Sequence, residues 1–291
     1  MVSLDAWQAK GNTFNYNGNP IFYVDEGRGD PLLCIHGFPT ASWDWAWIWP
    51  ELTQRFRVIA PDMIGFGFSA KPRAYDYTLR DQATLHERLL DSLGIADAHV
   101  LAHDYGDSVA QELLARHEDL RATGAAGLGI RSLCLLNGGI FPAEHRPRPV
   151  QRLLAGPFGA LVGRLMTERK FRVSFAEIFG PDTRPTSEEL SQFWRLIEHN
   201  GGRRIMHKLI RYMRERLEFQ ERWVGVLKTA QVPRCFINGP EDPISGRHMA
   251  EAYRRIVPNA NVVLLEGIGH YPQVEAPERM LEAFIRFVEA K

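Results

Sequence analysis

Three residues in this sequence have the type, order and setting to do chemistry together: Asp104, Asp242 and His270. Asp104 lies in the run AHVLAHDYGDSVAQELLARH, residues 98–117. An apolar stretch (Val100, Leu101, Ala102) passes through His103, Asp104, Tyr105 and Gly106 into a segment where Val109, Leu113 and Leu114 share one helical face. A strand, a tight turn and a helix, with small residues two before and two after the apex, is the pattern that presents a nucleophile at the edge of a sheet. Ala102 and Gly106 are those small residues, required because strand and helix approach closely. The apex is an aspartate rather than a serine. A serine must first lose a proton and is suited to carbonyl carbons, whereas an aspartate is already ionised at neutral pH. Attack by a carboxylate on an acyl group gives a labile anhydride, while displacement at a saturated carbon gives an ordinary ester. Epoxides and alkyl halides are the substrates that this chemistry suits.

Two blander readings compete. Asp104 could simply cap the following helix. Ser108, in Gly106-Asp107-Ser108-Val109-Ala110, imitates a serine motif but would sit a full turn inside the helix. Two further groups favour the nucleophile. His270 lies in EGIGHYP, on a glycine-flanked loop just past the last expected strand. Asp242 lies in NGPEDP, just past the preceding one, with Glu241 beside it as the rival acid; the Asp-Pro turn favours Asp242. The order nucleophile, acid, histidine is the one expected of such a sheet.

The elements that must hold these residues alternate. Residues 12–26 read as a hairpin around Asn-Gly-Asn. LLCI is a buried strand leading to His36-Gly37-Phe38-Pro39. Trp43, Trp45, Trp47 and Trp49 alternate like a strand, although Pro50 and the following PELTQRF fit a helix better. A strand from Arg57 to Ala60 precedes DMIGFGFS, where Gly65 and Gly67 lack the third glycine and the helix of a dinucleotide loop. A helix over about 78–93 leads to the Asp104 strand, and RSLCLLNGG is another buried strand. From Phe141 to about residue 228 the pattern turns helical with almost no strand signal. Strand and helix then resume over 232–238, 246–256, 261–265 and from Pro277. A mostly parallel sheet with helices on both faces, interrupted by an α-helical insertion, accounts for this. The expected organisation is a core over 1–140 and 229–291 with a helical cap over 141–228, the cap covering a site at the strand ends.

Bulk properties narrow the function. Lys+Arg and Asp+Glu both total 35, a neutral balance that argues against nucleic acid as a partner. Residues 141–228 nevertheless hold 17 basic against 10 acidic residues, so the cap is the basic part. Cys34, Cys134 and Cys235 fall in expected buried strands without metal-ligand spacing, as reduced thiols of a cytoplasmic protein would. No apolar run reaches the ~18 residues needed to span a bilayer.

HGFP, DMIGFGFS, HDYGDS, GPEDP and GHYPQVEAPE together resemble the α/β-hydrolase fold family, and the elbow aspartate places the chain beside epoxide hydrolases and haloalkane dehalogenases. NGGIFPAEHRP, FGPDTRPTSEEL and RWVGVL resemble the mesoderm-specific transcript group. The resemblance implies an alkyl-aspartate ester on Asp104, hydrolysed by water that His270 activates with Asp242 behind it. It also implies an oxyanion hole from the backbone N–H groups of Phe38 and Tyr105. It requires no cofactor and no metal, and its substrate would be a small apolar epoxide. An epoxide oxygen needs a donor from the cap. Tyr212 matches one of the two cap tyrosines of epoxide hydrolases; the other has no counterpart, Phe175 and Phe179 occupying its region. His145, His199 and His207 are the possible substitutes. Halide release would call for side-chain donors where Tyr105 and Phe38 stand, and Phe38 has none. Epoxide opening is therefore preferred to dehalogenation, and a binding module with an idle triad is the remaining alternative.

Overall fold

The computed structural model describes residues 1–290. The chain starts with a short helix, α1 (Leu4–Ala9), whose first turn is capped by the Ser3 hydroxyl. Six residues make under two turns, so no periodicity announces α1; burial of Leu4 and Trp7 holds it. Strands β1 (Asn12–Tyr16) and β2 (Asn19–Gly27) form the hairpin, with Asn17 and Gly18 at φ 52° and 79° between them. Two successive positive φ angles are what a type I′ turn demands, and Asn-Gly supplies them at least cost.

After β3 (Asp30–Ile35), the tryptophan run is neither strand nor one helix. A 3₁₀ turn at Ser42–Trp45 is followed by α2 (Trp49–Thr53), with Pro50 in its first turn. The alternation of tryptophans reflects packing: Trp43, Trp45 and Trp49 are buried, and the Trp49 ring meets that of Trp7 edge-on at 4.6 Å.

The core continues with β4 (Phe56–Pro61), α3 (Leu79–Ser92), β5 (Asp97–His103), α4 (Tyr105–Thr123) and β6 (Gly129–Leu136). A helical stretch follows: α5 (Pro149–Ala155), α6 (Gly159–Leu165), α7 (Glu168–Ala176), α8 (Ser187–Glu198), a 3₁₀ segment at His199–Arg204, α9 (Met206–Leu209), α10 (Tyr212–Glu218) and α11 (Gln220–Thr229). The sheet resumes with β7 (Arg234–Asn238), α12 (Arg247–Ile256) and β8 (Val262–Leu264), and the described chain ends with α13 (Pro272–Glu275) and α14 (Pro277–Glu289).

The eight strands form one sheet in the order β1-β2-β4-β3-β5-β6-β7-β8. The two pairings that involve β2 are antiparallel and all the others are parallel. Helix α4 packs on β5 and β6, and α12 and α14 pack on β7. Enclosure on both sides explains why Leu32–Ile35 and Val100–His103 are continuously buried rather than alternating. Cys34, Cys134 and Cys235 are free and buried in β3, β6 and β7. Among the described residues, no helix is long and apolar enough to cross a membrane.

Candidate active site

Asp104 is the hinge between β5 and α4, with φ 48° and ψ −103°. A non-glycine residue in that region is strained and persists only where its surroundings dictate it. The dictating contact is Gly106, where a Cβ would lie 2.4 Å from the Ile35 carbonyl oxygen and 2.8 Å from that of His36. Glycine alone lets α4 start so close to β3. Asp104 makes no side-chain cap to its own helix, contrary to the capping alternative. Its Oδ2 instead accepts from the Phe38 N–H at 3.1 Å. Tyr105 is the first residue of α4, so its N–H belongs to the first-turn donors that no intrahelical carbonyl claims. Ser108 lies inside α4, buried, with its Oγ accepting from Arg216 Nε at 2.6 Å.

His270 and Asp242 form a tight pair, with Nδ1 and Oδ2 2.7 Å apart. Asp242 is encased: Oδ2 also accepts from Asn137 Nδ2 (3.1 Å), Ser245 Oγ (2.7 Å) and Ser245 N (3.1 Å), and Oδ1 accepts from Ile244 N (2.8 Å). Glu241, by contrast, is exposed. Burial alone would raise the Asp242 carboxyl, but the charge and hydrogen bond of His270, together with Ser245 and Ile244, pull it down to about 2. For His270, burial favours the neutral ring; the Asp242 carboxylate and the charge of Asp104 outweigh it and raise the imidazole to about 9.

The loop that carries His270 is pinned from three sides. His103 Nε2–H donates to the His270 carbonyl at 2.7 Å; burial lowers that imidazole to about 3, so it stays neutral. The His270 N–H donates to the Ile178 carbonyl at 2.8 Å. Glu275 gathers the N–H groups of Gly180, Gly269 and Tyr271 at 2.7–2.8 Å, joining this loop to the helical layer.

A narrow cavity of about 70 Å³ lies between sheet and helical layer. Asp104, His270 and Phe38 form its floor, while Leu154, Met166, Phe171, Phe175, Ile178 and Met206 make its walls apolar. Gln151, Ser174 and Arg148 are its polar lining from the helical layer. Gln151 uses Oε1 to accept the Arg148 N–H at 2.8 Å, so its Nε2 amide is turned elsewhere as a donor.

Tyr212 is fully buried on α10, its ring 5.0 Å from that of Tyr105 and 5.9 Å from that of Phe38. Its hydroxyl makes no hydrogen bond of good geometry, and Gln151 is among its neighbours. Burial and the nearby Asp104 charge push this phenol far up, so it stays protonated. Phe175 and Phe179 stack around Tyr271, with centroids at 5.2 and 5.1 Å. Of the three histidines considered as a second donor, only His145 feels Asp104, Asp242 and His270; burial lowers it to about 4. His199 packs on Phe68 at 5.2 Å, and His207 lies among Arg211, Lys208 and Arg164. Neither belongs to this site.

Arg216 was not anticipated. It stands one turn after Tyr212 on α10 and is buried. Its Nη2 donates to the Asp104 carbonyl at 2.8 Å and lies 3.6 Å from Asp104 Oδ1. Its guanidinium covers the Tyr212 ring, with Cζ 4.4 Å from the centroid. A buried cation is tolerable only with such partners, and the i, i+4 spacing is the one signal that ties it to Tyr212.

The profile of the alpha/beta hydrolase fold family matches residues 30–277. The mesoderm-specific transcript protein of Mus musculus is 43% identical over 299 aligned residues, covering 99% of this chain and 88% of that protein. Among solved structures, the epoxide hydrolase CorEH is similar with a TM-score of 0.77 at 22% identity, covering 95% of this chain and 97% of its own. The haloalkane dehalogenase DatA from Agrobacterium tumefaciens C58 gives 0.78 at 23%, covering 96% and 97%. These two likenesses speak for the fold. With the profile spanning most of the chain and a relative at 43% identity, the protein belongs to the alpha/beta hydrolase fold family, in the company of the mesoderm-specific transcript proteins.

Proposed function

We propose that the protein is an epoxide hydrolase acting on small apolar epoxides through an ester on Asp104. The observation that carries this reading is the Asp104 carboxylate, which borders an apolar cavity with one oxygen on the Phe38 N–H and the other left to attack. Oδ1 attacks an epoxide carbon, the carbon–oxygen bond breaks, and the ring oxygen takes a hydrogen bond and then a proton. Tyr212, held protonated near Asp104, and the Gln151 amide on the cavity wall are the donors proposed for that oxygen. Gln151 thus fills the place left open by the missing second tyrosine.

Neutral His270 then accepts a proton from water as the oxygen attacks Asp104 Cγ. The tetrahedral oxyanion rests on the N–H groups of Phe38 and Tyr105. Collapse breaks the ester as His270 returns its proton to the leaving diol oxygen. The restored carboxylate gives up the proton of the added hydroxyl, which replaces the one the donor gave to the epoxide oxygen. The sequence of charges supports this division of labour. An ionised Asp104 helps hold His270 up near 9; once esterified, Asp104 is neutral, and the imidazole loses a proton more readily in the step that needs it as a base. Three buried free thiols are consistent with a reducing, cytoplasmic setting.

The test is single-turnover reaction of enzyme in excess over aryl and alkyl epoxides in ¹⁸O-water. The mechanism places the label in the Asp104 carboxylate, while the first diol formed carries none from solvent. Label appearing directly in that diol would contradict it. Halide release from haloalkanes without diol from any epoxide would assign the same residues to dehalogenation. Ligand binding without turnover, unchanged in Asp104→Ala, would make the fold a binding module.

A further inference from the structure

The side of α5 and α6 turned away from the cavity is apolar and open. Phe158, Leu161 and Leu165 are 74%, 54% and 61% exposed, and spacings of three and four residues set them along one flank of α6 and its leading edge. Leu153, 60% exposed, stands on α5, which packs against α6. Single exposed leucines are ordinary on protein surfaces, but four large apolar side chains on one helical hairpin form a patch that calls for a partner.

The charge around this patch is mostly positive. Arg152 and Arg164 lie on the same two helices and are exposed. Arg203 donates Nη1 to the carbonyls of Arg164 (3.2 Å) and Met166 (2.6 Å) at the end of α6. Arg214 donates to the Ala155 carbonyl (3.3 Å) at the end of α5. Arg204 lines a surface groove with Arg164 and Arg203, and the acid there, Glu198, is paired with Arg203. A second copy of the chain would set this cationic rim against itself. An anionic bilayer matches both parts: its acyl region takes the Phe and Leu side chains, and its headgroups meet the arginines.

The inner side of the same hairpin supplies Gln151 and Leu154 to the Asp104 cavity. We propose that the α5–α6 hairpin is a peripheral docking face for an anionic lipid surface, which sets the cavity roof against the medium where apolar substrates concentrate. Docking stands on the patch and its rim alone; the delivery of substrate rests on the epoxide reading.

The experiment is flotation of the full chain with phosphatidylcholine vesicles, with and without about one part in three of phosphatidylglycerol. The proposal expects binding at least about tenfold greater to the anionic vesicles, reversed by about 0.5 M salt. It expects Phe158→Asp with Leu161→Asp to lose that binding, with unchanged circular dichroism and unchanged turnover of a water-soluble epoxide. No binding to anionic vesicles overturns it, as does equal binding to phosphatidylcholine alone. A concentration-dependent dimer that the double variant abolishes would assign the face to a second copy and overturn it too. Lipid binding by a chain that hydrolyses no epoxide keeps the docking and removes the delivery.

Discussion

The floor and the roof of the cavity are built on opposite principles. On the floor each functional side chain is held from several directions: Asp242 accepts five hydrogen bonds, His270 is fixed through side chain, N–H and carbonyl, and Asp104 sits in a strained turn that Gly106 permits. The roof is mostly apolar, with Gln151, Ser174 and Arg148 as its polar lining, and the buried Tyr212 hydroxyl near Asp104 lacks a hydrogen-bond partner. Saturated polar groups hold one geometry, whereas free donors hold it only once a ligand arrives. On the epoxide-hydrolase reading, the floor would define the type of bond made and broken, and the roof what fits and how the leaving oxygen is met. Arg216 crosses between them, extending from α10 to the Asp104 carbonyl.

If that contrast holds, substitutions on the floor should abolish steps and those in the roof should only slow them. Asp104→Ala should lower turnover by about 10⁴-fold or more, since no other group in the cavity can form the ester. His270→Gln should cut ester hydrolysis by about 10²–10⁴-fold while leaving alkylation nearly intact, seen as a stoichiometric burst followed by arrest. Arg216→Met should slow alkylation about tenfold to a hundredfold, the range of an active-site charge-assisted contact. Arg216→Lys should restore part of that rate. An unchanged alkylation rate would reduce Arg216 to a structural role. Tyr212→Phe should slow alkylation by a smaller factor, about tenfold, and Tyr212→Phe with Gln151→Leu by more than either alone.

The two steps should also separate by pH. Alkylation by Asp104 needs no neutral imidazole. Ester hydrolysis needs neutral His270, so its rate should rise with pH through a value below the 9 of the free enzyme, because esterification removes one of the charges that raise it. A hydrolysis rate that falls as pH rises through that range would remove His270 as the base.

What was legible in the sequence follows the same division. The strand, turn and helix at Asp104 are local, and a pattern of small residues announces them. Asp242 and His270 each follow a recognisable strand, so their placement came with the sheet. Asn137 and Arg216 gave no signal, because their partners are 105 and 112 residues away, and the tie from Glu275 to the helical layer spans 95. Gln151 gave no signal either, and only the fold brings it to the cavity. The tryptophan run misled because buried rings at alternate positions imitate a strand where a 3₁₀ turn and a short helix bury them instead.

The central claim is that the Asp104 carboxylate becomes covalently bound to substrate carbon. His270→Gln enzyme, mixed with an aryl epoxide, digested and examined by mass spectrometry, tests it directly. The account predicts one adduct equal to the mass of the epoxide, on the peptide that contains Asp104 and lost on mild alkaline hydrolysis. An unmodified Asp104 peptide under conditions where wild-type enzyme forms diol, or an adduct that persists in Asp104→Ala, would contradict it.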